Sequence, residues 1–155
     1  MPDDFDFQHE VDQFLGTSRT ASLSTVSSDG KPHAANLQYA VDKDWSLYFV
    51  SNPETVHASN IAIDPAVALT IYGHTDNWRE IHGLQIKGEC FAATDDADRS
   101  NAWTWFKLAY PFVDHNEELK ARIDNECFYV IKPTWIRWID NRRGFGFKVE
   151  KDLAV

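Results

Sequence analysis

Residues 20–50 read TASLSTVSSDGKPHAANLQYAVDKDWSLYFV, and their spacing decides the architecture. Ala21, Leu23 and Thr25 fall at every second position, the period of a half-buried strand. The turn signal SSDGKP, with Asp29-Gly30 at its centre, sends the chain back through HAANLQYAV. DKDW then turns it into a third strand, SLYFV. Strands joined so closely must run antiparallel, because a parallel pair needs a crossover of roughly a dozen residues or more. A doubly wound parallel sheet therefore fits poorly.

Working outward from this meander, Phe7, Val11, Phe14 and Leu15 recur at helical spacing, and Gly16 can end that helix. Downstream, a short helix is expected from about Pro53 to Ile63, followed by a fourth strand, AVALTIYG. HTDNWREIHG reads as a loop or hairpin tip, LQIKGECFAAT as a fifth strand, and Asp95 to Asp124 as helical with a break at Pro111. CFYVIKPTWIRWID returns to strand character, and Pro133 marks a bend or an edge position. The tail NRRGFGFKVEKDLAV is expected to be irregular, with residues 1–9 and 149–155 as mobile ends. The pattern predicts a mainly β fold, a six-stranded antiparallel barrel with flanking helices, as one domain over residues 1–155.

The formal charge of −9 argues against non-specific binding to nucleic acid or an anionic membrane. No apolar run approaches the roughly 20 residues of a membrane helix, and the acidic start MPDDFDFQHE lacks a signal-peptide layout. Cys90 and Cys127 belong to no CxxC pattern, so a cytoplasmic protein is expected. Six Trp, five Tyr and ten Phe imply large buried faces, and they suit a flat ligand or a partner subunit. The six His form no HExxH, no metal site is expected, and GxSxG, GxGxxG and P-loop motifs are absent.

The stretch SNPETVHASN, residues 51–60, ends the third strand and opens a helix. Asn52 or Ser51 can cap that helix, and Pro53 suits its first position. Free amides, the helix dipole, the Ser51 and Thr55 hydroxyls and His57 could together hold an anion. An ordinary strand-to-helix turn would use the same residues.

The succession of meander, LYFVSNPETVHASNI, strand and GLQIKGE resembles the FMN-binding split barrels related to pyridoxamine 5′-phosphate oxidase, over about residues 10–148. The resemblance implies a split barrel working as a homodimer with FMN at the subunit interface. Ser51, Thr55, His57 and Asn60, followed by Ile61, match the positions with which the family holds the flavin phosphate. His57 stands where the family commonly has Lys or Arg. Ala35, Asn36 and Leu37 match the strand whose backbone follows the flavin ring. Gln85 matches a polar residue facing the pyrimidine, and Lys87 on the same face could stabilise a reduced flavin. The ending DNRRGFGFK is similar to a shorter-chain branch in which a late aromatic, here Trp138 or Trp135, approaches the flavin of the other subunit. The simpler reading of each Trp is that it fills the barrel or the dimer interface.

The implied activity is flavin oxidoreduction with a small-molecule substrate or electron donor and no assigned catalytic side chain. The Arg- and His-containing tail of the pyridoxamine-phosphate oxidases is only partly matched, by Arg142 and Arg143. A barrel that binds or senses FMN, haem or a deazaflavin without turnover is the alternative. A lipocalin-like binder is disfavoured by the inserted helices.

Overall fold

The computed structural model describes residues 4–154. Helix α1 (Phe7–Thr17), capped by the Asp6 carboxylate, leads into strand β1 (Thr20–Val26). Strands β2 (Pro32–Gln38), β3 (Ala40–Val41) and β4 (Leu47–Ser51) complete the meander. Helix α2 (Val56–Ile63), β5 (Ala66–Tyr72) and β6 (His82–Ala92) follow. Helices α3 (Asp96–Ala109) and α4 (Glu117–Asp124) precede the long β7 (Cys127–Asp140), and β8 (Lys148–Asp152) ends the series.

The strands run β2-β1-β5-β6-β7-β4-β3, every pair antiparallel, with β8 beside β7. β2 and β3 are one stretch of chain interrupted at Tyr39, yet they occupy opposite edges of the sheet. The sheet therefore curls until its edges meet there. The Tyr39 amide still reaches Arg19 O on the β1 side, at 3.0 Å, and its carbonyl accepts from the Tyr110 hydroxyl at 2.6 Å. Its own hydroxyl donates to Leu15 O. Away from this corner, β2 has no strand on its outer edge among the described residues, and Phe49–Ser51 run beyond the end of β3. The barrel is closed at Tyr39 and split towards Pro32 and Ser51.

Two apolar layers hold the sheet. Leu23, Phe49, Leu69, Ile86, Ile136 and Trp138 fill the barrel with α1 and α2. Tyr48, Phe128, Phe106, Tyr110 and Val113 lie on the other side of β4 and the first half of β7, beneath α3. The outer face of the other strands carries no helix layer. Among the described residues, no helix is long and apolar enough to cross a membrane.

The described residues form eight strands where six were expected. The second expected strand is divided at Tyr39, and the tail, expected to be irregular from Asn141, pairs as β8 from Lys148 to Asp152. At the other end, α1 begins at Phe7, inside a segment expected to be mobile. β6 and β7 shift register between Lys87 and Gly88, where Lys87 faces Trp135 and Gly88 faces Pro133, leaving Thr134 extra. Such a bulge bends its strand and reverses which side chains point inward. Gly88 is required there, because a Cβ would lie 2.4 Å from Lys132 O.

Candidate functional site

The mouth of the split gathers the anion candidates. Asn52 accepts from the Glu54 amide and forms a turn ahead of α2, so the helix starts at Val56 and not near Pro53. The cap is Thr55, whose Oγ1 accepts from the Ala58 amide at 3.2 Å, and neither Ser51 nor Asn52 serves. The Val56 and His57 amides precede the first turn's bonds and face the helix N-terminus. Ser51 Oγ lies 2.7 Å from His57 Nε2 and 3.3 Å from Thr55 Oγ1. Three predicted side chains therefore meet at one point, between the diverging ends of β2 and β4.

Burial, and then the nearby His33 of β2, push His57 below the ordinary imidazole value. At neutral pH it is an uncharged hydrogen-bonding ring in the ligand-free protein. Asn60 is not at this point. It is buried on α2, where its Nδ2 donates to Thr25 Oγ1 at 3.0 Å and pins the helix to β1. Cys127 faces Ser51 across the β4–β7 ladder; Cys90 is buried in the barrel, which pushes its thiol up to about 12. Both cysteines are free.

Ala35 and Leu37 point to the barrel side of β2, partly buried, while Asn36 points outward and accepts from the Ser22 hydroxyl at 2.6 Å. What the three residues share is the unpaired backbone edge of β2 along the split. Gln85 is not brought to the mouth. It lies on the outer face of β6, in a row that the strand registers draw across the sheet: Asn36, Ser22, Thr70, Gln85, Arg137 and Glu150. Beside this row a concavity of about 490 Å³ is lined by Ser24, Ala66, Ala68, Lys87 and Thr134. Small side chains leave that face open to a flat ligand or a second subunit.

Trp138 must be corrected as a cofactor contact. It is 1% exposed, inside the barrel, with its ring edge-on to Phe14 at 5.5 Å and near His82. The Thr134 bulge has turned it inward and turned Trp135 outward. Trp135 is flanked by Lys87 Nζ at 4.9 Å and the Arg137 guanidinium at 5.0 Å from its ring centre. Sequence reasoning missed Arg137, Glu150 and His33, because nothing in their local motifs marks them; only strand registry brings them to these places. Among the described residues, no group of three or more His, Cys, Asp or Glu is placed to hold a metal ion.

A protein-family model described as pyridoxamine 5′-phosphate oxidase matches residues 7–140. A UPF0306 protein of Klebsiella pneumoniae is 29% identical over 125 residues, covering 80% of this chain and 79% of its own. Among solved structures, a conserved hypothetical protein of Mycobacterium tuberculosis superposes with a TM-score of 0.78 at 20% identity, over 100% of this chain and 95% of that one. A heme binding protein of Mycobacterium smegmatis superposes at 0.77 with 16% identity, over 96% of this chain and 58% of that one. These structural likenesses share the split-barrel fold, and the family match spans the start of α1 to the end of β7. The chain belongs to the pyridoxamine 5′-phosphate oxidase family.

Proposed function

We propose that this protein binds FMN as a homodimer and acts as a flavin-dependent oxidoreductase. The observation that carries the reading is the meeting of Ser51, Thr55 and His57 at the mouth of the split, beside the free amides of α2. Two hydroxyls, two amides and a chargeable ring match the acceptor-rich, doubly ionised phosphate of FMN. From there the ring would follow β2 along Ala35–Leu37, which pair with β1 on one side and have no strand on the other, outer edge. Asn60 would support the site by holding α2 in place and would not touch the ligand.

The outer-face position of Gln85 supports a two-subunit site. It points away from its own chain's barrel, so a flavin in the split would meet Gln85 of the partner subunit. The uncovered face bearing Ser22, Ser24, Ala68 and Thr70 carries small side chains, which suits that approach. When bound, FMN supplies hydride and electron transfer, and the chain supplies binding, orientation and exclusion of water. No side chain here is assigned as an acid or base.

Calorimetric titration of the purified protein with FMN tests the reading; a folded sample giving no heat would end it. The pH dependence adds a sharper test. A phosphate dianion favours imidazolium, so FMN binding should draw a proton onto His57 wherever the pH exceeds its lowered free value. FMN affinity should therefore fall with rising pH, by up to about tenfold per unit. The fall is read above the phosphate's own second ionisation near pH 6, so that only His57 titrates. His57→Lys should flatten this slope, and an unchanged slope would remove His57 from the site. Without ligand the sign reverses. A His with a depressed folded value stabilises the protein above about pH 6.5, and that contribution is lost as pH falls through the folded value.

Haem is the second reading. A neutral imidazole is the metal-binding form, and His57 and His33 stand together in the split. The structural likeness to a heme binding protein points the same way. A Soret band without flavin absorbance in freshly purified protein would favour it over FMN.

A further inference from the structure

We infer that Arg137, held by Glu150, is a positioning residue that fixes the Gln85 side chain with its NH₂ group facing outward. The inference rests on the FMN reading for its consequence, and on this chain's own hydrogen bonds for its geometry. Gln85, Arg137 and Glu150 are consecutive partners across β6, β7 and β8. Glu150 Oε2 accepts from Arg137 Nε at 2.8 Å and from Nη2 at 2.6 Å. The guanidinium also packs on the Trp135 ring. Its plane is thereby set from two directions, and Nη1 is directed at Gln85 Oε1, 3.4 Å away.

The polarity follows from chemistry alone. A guanidinium has donors and no acceptor, so only the carbonyl end of the amide can face it. The NH₂ end then points away from Arg137, over the uncovered face. Gln85 presents donors there and no acceptor. Such a group suits the pyrimidine carbonyl oxygens of a flavin and not its ring N–H. Without Arg137 the amide could turn either end outward. β8 thus contributes to ligand recognition without touching the ligand, through Glu150.

A double-mutant cycle tests this on the full-length protein, read as FMN affinity by quenching of flavin fluorescence. Arg137→Met, which keeps a stem over Trp135, should weaken FMN binding about tenfold in the natural background. In the Gln85→Leu background the same change should cost less than about twofold, because nothing is left to position. Equal losses in both backgrounds would overturn the inference, since a general structural effect would not depend on Gln85. A second readout needs no flavin. In ligand-free protein, the Gln85 side-chain NH₂ resonances should shift in Arg137→Met and in Glu150→Gln. Resonances that stay put in both variants would overturn the inference. If the natural protein takes up no FMN at all, the flavin reading falls, while the amide spectra still decide whether Gln85 is held.

Discussion

His57→Glu is expected to weaken FMN binding at least a hundredfold while leaving riboflavin binding unchanged. The new carboxylate would replace the imidazole whose Nε2 now lies 2.7 Å from Ser51 Oγ, beside the point where the phosphate would sit. Two like charges about 4 Å apart at a partly exposed site repel by roughly 4 kcal/mol, and about 2.7 kcal/mol already corresponds to a hundredfold. Riboflavin has the same ring without the phosphate, so it reads the ring contacts alone. Parallel titrations of both ligands check the expectation. Equal loss of riboflavin would mean that the variant had damaged the barrel, and undiminished FMN binding would move the phosphate elsewhere. Thr55 continues to cap α2 in this variant, so the helix itself should persist.

The second large effect is on stability. Trp138→Ala should destabilise the protein by about 3–5 kcal/mol, because it empties a large volume between α1 and β6. In a chain of this length that lowers the melting temperature by roughly 2–4 °C per kcal/mol. Trp138→Phe should be far milder. It keeps an aromatic ring against Phe14 and removes the indole N–H, which is buried without a partner. FMN affinity should be unaffected by Trp138→Phe. A flavin-facing Trp138 would show the opposite pattern, with affinity falling at constant stability. Chemical unfolding and FMN titration of the two variants distinguish these outcomes.

The same residue shows where sequence reading reached its limit. The meander was legible because SSDGKP and DKDW are strong turn signals between alternating runs, and the structure returns β1, β2 and β4 there. The order of motifs around residues 47–61 and 83–89 was legible as a family pattern. Alternation, however, carries along a strand only until a bulge. Counting inward positions from Tyr129 and Ile131 would put Trp135 inside and Trp138 outside. Thr134 is one residue too many opposite Lys87 and Gly88, and it reverses the assignment.

β8 was missed for another reason. KVEKD is an exposed edge strand with only Val149 half-buried, so it lacks the apolar alternation that marks a strand. Its partner, β7, creates it. Pro53 likewise misled the placement of α2, because an Asx turn at Asn52 precedes the helix and hands the capping role to Thr55. At the mouth of the split, Ser51, Thr55 and His57 are close in sequence and were readable together. Gln85 acquires its neighbours through registry across three strands, which no local pattern records.

The continuity of β2 and β3 through Tyr39 gives the cleft a built-in pivot. One jaw is β2 and the other is the end of β4, and β3 ties the two together by continuing β2 through Tyr39 and pairing with β4. Their unpaired edges run from the tie at Tyr39 towards Pro32 and Ser51. Tyr110, from the helical excursion between β6 and β7, bolts that pivot through its bond to the Tyr39 carbonyl. The aperture offered to a guest is thus framed from a residue remote from the jaws' tips.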